Sequence, residues 1–153
     1  MQLTFHQDDL ESSDVQALLK LHFSAMRSIS PPDACHVLPA DGLRDPSVIL
    51  WSARKGEQLV GIGALKLLGD DHGEVKSMRV AADALGRGAG RAILGRIIAE
   101  ARRRGVRRLS LETGGSSEFD AALGLYRSAG FTPCGPFGDY QPTPFTRFFT
   151  REI

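Results

Sequence analysis

The sequence predicts an α/β fold built on a mixed sheet. Three observations carry that expectation. Two hydrophobic runs flank a glycine-containing turn, a strongly amphipathic helix is stopped by glycine, and the second half alternates strand, helix, strand and helix. At 153 residues the chain predicts one domain spanning 1–153, long enough to bury a core without covalent staples.

Leu3 and Phe5 alternate with polar neighbours and predict a short opening strand. Ser13 and Asp14 offer N-caps for a helix with an apolar face of Val15, Leu18, Leu19 and Phe23. Between Ser30 and Pro46 stand four prolines, so this stretch reads as a loop with at most one helical turn. A long loop of this kind is a candidate for shaping a substrate site. The runs Val48–Ala53 and Leu59–Leu65, joined by Lys55-Gly56-Glu57, predict a hairpin. Gly69–Gly73 is a second turn leading into a strand over Glu74–Val80.

After that strand, Ala92, Ile93, Leu94, Ile97, Ile98 and Ala101 recur at helical intervals up to Gly105. Val106–Thr113 predicts a strand, and Ala121–Ala129 a helix closed by Gly130. Further strands are expected from Phe131 and over Phe145–Arg151.

Composition excludes several classes of function. Nineteen basic and eighteen acidic residues leave a formal charge of +1, which argues against a generally cationic surface for nucleic acid or membrane. That average conceals a polarity, because ten basic and two acidic residues lie between Lys76 and Arg108. No apolar run approaches the roughly 20 residues of a membrane span, and the first residues show no secretory signal pattern. Cys35 and Cys134 are far apart, and His6, His22, His36 and His72 show no ligand spacing. A cytoplasmic protein with reduced thiols and no metal is therefore expected.

The stretch Arg87-Gly88-Ala89-Gly90-Arg91-Ala92 carries the chemistry. Glycines where a strand meets a helix let backbone N–H groups approach an anion, and the helix start adds its positive dipole end. Arg87 and Arg91 bring positive charge to that mouth. A dinucleotide fingerprint would need an acidic residue about 20 positions on, where Arg108 stands instead. The Gly-Lys-Ser/Thr ending of a P-loop is also absent.

Two motifs resemble the GNAT superfamily of acyl-CoA-dependent N-acetyltransferases. Arg87-Gly88-Ala89-Gly90-Arg91-Ala92 satisfies that family's Gln/Arg-x-x-Gly-x-Gly/Ala loop, and Leu125-Tyr126-Arg127-Ser128-Ala129-Gly130-Phe131 matches its Leu-Tyr-x-x-x-Gly-Phe motif. Their order and intervals fit from about Leu59 to Phe131. Leu109–Gly114 and Cys134–Tyr140 look like a bacterial subgroup of these acetyltransferases. The resemblance implies a mainly antiparallel sheet of six to seven strands flanked by about four helices. It also implies acetyl-CoA as co-substrate, an amine-bearing small molecule as acceptor, and direct transfer in a ternary complex. Dimers are common in the family.

By the same resemblance, Met78, Arg79 and Val80 pair with the pantetheine arm, and Arg87, Gly88, Ala89, Gly90, Arg91 and Ala92 hold the pyrophosphate. The Val80 N–H becomes a candidate oxyanion donor and Tyr126 the acid that protonates the CoA thiolate. Glu74 stands where the family usually keeps a carboxylate base, although it could equally be a strand glutamate paired with Lys76. Glu112 on the neighbouring strand is the competing carboxylate. Phe119 replaces an asparagine common seven residues before the tyrosine, leaving Ser116 or Ser117 as possible substitutes.

The acceptor pocket is expected from residues 26–44 and 135–144, with His36, Trp51, Lys76 and Tyr140 as candidate lining residues and Trp51 equally a core residue. Nothing in the sequence places a base beside Cys134, which argues against its acting as a nucleophile. Arg102-Arg103-Arg104 and Arg107-Arg108 invite a DNA-binding reading, but cations at a helix C-terminus are the simpler account. A protein acetyltransferase and a non-catalytic acyl-CoA-binding module remain as rivals.

Overall fold

A computed structural model of the chain describes residues 2–32, 35, 37 and 42–153. Seven strands form one sheet in the order β1-β2-β3-β4-β5-β7-β6. They are β1 (Thr4–Gln7), β2 (Val48–Lys55), β3 (Gln58–Gly69), β4 (His72–Val80), β5 (Arg108–Gly114), β6 (Thr132–Cys134) and β7 (Thr146–Glu152). Every neighbouring pair is antiparallel except β4–β5. The helices are α1 (Ser13–Ile29), α2 (Ala89–Arg103) and α3 (Asp120–Ser128). Among the described residues there are thus three α-helices rather than about four. Further helical segments are 3₁₀ turns at Gly42–Arg44, Ala82–Ala84 and Ser117–Phe119, each a single short turn.

Local chemistry sets the boundaries. Gly56, with φ +61°, turns β2 into β3. Asp70 and Asp71 both have positive φ, as a two-residue turn between Gly69 and His72 requires. Helix α1 starts one residue earlier than expected, with Ser12 as N-cap, and its buried face is Val15, Leu19 and His22. Helices α2 and α3 end alike. Gly105 and Gly130 adopt φ +83° and +88°, while the N–H groups of Val106 and Phe131 donate back to Ala101 O and Tyr126 O.

Two apolar clusters sandwich the sheet. The larger lies under α2 and α3 and includes Ile93, Ile97, Leu109, Leu111 and Phe131. The smaller joins α1 to the other face through Val15, Leu19, Leu50 and Ile62. Trp51 belongs to the larger cluster, as a core residue. No helix among the described residues is long and apolar enough to cross a membrane.

The feature that positions the site is a bulge in β4. Lys76 pairs with Ala64 and Arg79 with Ile62, so Ser77 and Met78 together oppose Gly63. Ser77 carries the strain, with φ +56°. Upstream, Glu74 and Lys76 lie on the α1 face and Val75 on the α2 face. Downstream the alternation is shifted: Met78 and Val80 face α2, and Arg79 faces α1.

Candidate active site

Strands β4 and β5 pair only at His72–Arg108, Gly73–Leu109 and Glu74–Ser110, and then separate. A cavity of about 130 Å³ opens where the pairing stops. Its walls include Glu74, Lys76, Met78, Glu112 and Tyr126. The Ala81 N–H donates to Val60 O on β3. Strand alternation therefore turns the Val80 N–H away from β3, toward the gap.

At the start of α2, Gly88 is the N-cap, with φ +83° and open space where a Cβ would stand. The Ala92 N–H donates to Gly88 O. The N–H groups of Ala89, Gly90 and Arg91 precede any intrahelical acceptor and point out of the helix end. Gly90 is placed close to α3, since a Cβ there would lie 3.3 Å from Leu125 Cδ2. Arg87 is exposed beside this opening, and Arg91 donates to Ser128 Oγ at 3.3 Å. The loop thus has the shape and charge to hold a diphosphate.

The titratable groups of the cavity differ in their engagement. Glu74 is buried, and its Oε2 accepts hydrogen bonds from Lys76 Nζ at 3.2 Å and from the Tyr140 hydroxyl. Lys76 Nζ also donates to the Tyr140 oxygen at 2.8 Å. Burial raises the Tyr140 phenol above its ordinary range, and Glu74 adds to the rise. Glu112 makes no ion pair or hydrogen bond through its side chain among the described residues. Burial pushes its carboxyl up to about 7, with Lys76 opposing and Glu74 reinforcing the shift. Burial likewise pushes the Tyr126 phenol up to about 12, with a further contribution from Glu112.

Of the candidate lining residues, Lys76 lines the cavity, whereas Tyr140 bonds to Glu74 and Lys76 without lining it. Cys35 and Val37 from the proline-rich loop also line the cavity, whereas His36 lies outside the described residues. Phe119, at the position of the family asparagine, is buried edge-on to Phe145 with ring centroids 5.6 Å apart. Sequence reasoning missed His22, which is buried on α1 and lines the cavity. Its signal was its place one turn beyond Leu18 and Leu19 on the helix face. Its Nδ1 accepts from Arg79 Nε at 2.9 Å. Burial lowers the imidazole to about 4, and Arg79 contributes to the drop, so the ring is neutral at physiological pH.

Parallel strands that part in mid-sheet, beside a helix opened by glycines, define the class of acyl-CoA-dependent acetyltransferases. The family model described as acetyltransferase (GNAT) family matches residues 14–131, and the chain belongs to that family. It is similar to the uncharacterized N-acetyltransferase YedL of Escherichia coli (strain K12), at 49% identity over 98% of this chain and 94% of that protein. An acyl-CoA N-acyltransferase from Klebsiella pneumoniae has the same fold, with TM-score 0.80 and 26% identity over 99% of this chain and 97% of its own. A Bacillus subtilis acetyltransferase solved in complex with CoA superposes with TM-score 0.77 at 16% identity, covering 99% of both chains. The protein is an acyltransferase.

Proposed function

We propose that the enzyme transfers acetyl from acetyl-CoA to the amine of a small molecule, by direct attack in a ternary complex. The carrying observation is the cavity at the β4–β5 split, where Glu112 and Tyr126 meet beside the unpaired edge of β4. The CoA bound to the similarly folded Bacillus subtilis protein supports the same co-substrate here. In this reading the first turn of α2, from Arg87 to Ala92, takes the pyrophosphate, and the free edge of Met78, Arg79 and Val80 pairs with the pantetheine arm.

Glu112 is better suited than Glu74 to act as base. Its lone carboxylate titrates near neutral pH, whereas Glu74 Oε2 is occupied by Lys76 and Tyr140. Glu112 takes a proton from the ammonium, and the freed nitrogen lone pair forms the N–C bond to the thioester carbonyl. The Val80 N–H donates to the developing oxyanion. As the C–S bond breaks, its electron pair leaves with sulfur, and the Tyr126 hydroxyl supplies a proton there. The second amine proton passes to solvent, and Tyr126 is reprotonated from solvent.

Thiol release from acetyl-CoA, followed across a library of small amines and peptides, tests the reading. Turnover on small amines supports it. Acetylation confined to polypeptides overturns the acceptor class, and tight CoA binding without turnover on anything overturns catalysis.

A further inference from the structure

We propose that the acceptor carries a carboxylate beside its amine, and that the guanidinium of Arg79 receives it. The inference rests on the acetyl-transfer reading above and names the substrate class of the same site.

The bulge at Ser77 puts Arg79 on the α1 face of the sheet, together with Glu74 and Lys76. Lys76 is committed to Glu74 at 3.2 Å. Arg79 has no such counter-ion, since among the described residues no carboxylate forms an ion pair with it. It is half-buried, and among the described residues its one side-chain hydrogen bond runs from Nε to His22 Nδ1 at 2.9 Å. Withdrawing a guanidinium from water without an anion is costly. A bond made through Nε alone also leaves both terminal nitrogens without protein acceptors among the described residues. Two parallel N–H groups on a planar fork match the two oxygens of a carboxylate.

The neighbouring imidazole fits the same purpose. With Nδ1 accepting from Arg79, the neutral ring carries its proton on Nε2. His22 lines the transfer cavity, and Arg79 is hydrogen-bonded to it at 2.9 Å.

A phosphate of CoA is a less suitable anion for this arginine. The glycine-opened end of α2 lies on the opposite face, toward which Met78 and Val80 point. An acceptor with only an ammonium would leave Arg79 without an anion. An amino acid brings its own compensation: its carboxylate meets Arg79 while its ammonium meets Glu112. Met26, Val37 and Phe145 form an apolar part of the wall and favour an apolar side chain.

Matched acceptors test this with the intact protein. The amino acids are compared with their amides and their decarboxylated amines, reading kcat/KM by thiol release. The free acids should exceed their amides by roughly 10- to 100-fold, the range expected of a charge-assisted contact. In Arg79→Gln that ratio should collapse toward unity through KM, and Arg79→Lys should restore part of it. Equal rates for acids and amides in the wild-type protein, or an unchanged ratio in Arg79→Gln, overturn the proposal and leave Arg79 as a strut between β4 and α1. Calorimetric binding of the N-acetylated acids and amides, with CoA present, reads the anion contact without turnover. Selective binding of the acids without turnover supports the contact while removing the transferase reading. Indifferent binding overturns the contact alone.

Discussion

Lys76 Nζ lies 3.2 Å from Glu74 Oε2, two residues back on the same face of β4, and both side chains are almost wholly withdrawn from solvent. Removing one member leaves the other as an uncompensated buried charge. Lys76→Met should lower the unfolding free energy by about 3 kcal/mol, read from urea denaturation. A loss below about 0.5 kcal/mol, the level of an exposed pair, would mean that water already screens this one.

Glu112 sets a pH dependence. Its carboxyl titrates at about 7 because burial penalises the charged form. If it is the base, kcat/KM should rise with pH through that value, and Glu112→Gln should flatten the profile and slow turnover on the order of 100-fold or more. Stability runs the other way. The unfolded carboxyl ionises from its ordinary range upward while the folded one resists, so the native state loses stability between those values and about pH 7. Glu112→Gln should therefore melt above the wild type at pH 8 and close to it at pH 4, measured by calorimetry. A variant less stable at both would show that the carboxylate is held by contacts stronger than its desolvation.

Tyr126→Phe removes the hydroxyl and keeps the ring against Phe131, 6.1 Å away between centroids. Turnover should fall roughly 100-fold, with the KM for acetyl-CoA within about twofold. Unchanged turnover would take the acid role away from Tyr126.

Gly63 leaves room where α2 crosses β3. A Cβ there would stand 2.7 Å from Ile93 Cγ2 and 2.8 Å from Met78 Sδ. Gly63→Ala should cost about 1–3 kcal/mol by overpacking and weaken acetyl-CoA binding by displacing Met78. Thermal melting and CoA titration check both parts, and a neutral substitution would show that the helix shifts freely.

Most of the fold was legible because its signals are local. The period of α2, the turn at Gly56 and the glycines after α2 and α3 mark their elements without reference to anything distant. The glycine loop and the Leu-Tyr motif were legible for the same reason. The Ser77 bulge was not, since nothing in Lys76-Ser77-Met78 departs from an ordinary strand until Gly63 is paired opposite. Tyr140 stands 66 residues from Glu74, so their hydrogen bond depends on topology. His22 reads as one polar position on an amphipathic helix until β4 brings Arg79 beneath it.

The bulge also divides the labour of a single strand. Glu74 and Lys76 before Ser77 face α1, the side of the proposed acceptor, and Met78 and Val80 after it face α2, the side of the proposed donor. If the proposed roles hold, substitution at 74 or 76 should change the acceptor while leaving the affinity for the coenzyme intact. Arg79 between them pairs its backbone with Ile62 of β3 and turns its side chain to the α1 face, so drift at that position touches the sheet as well as the site.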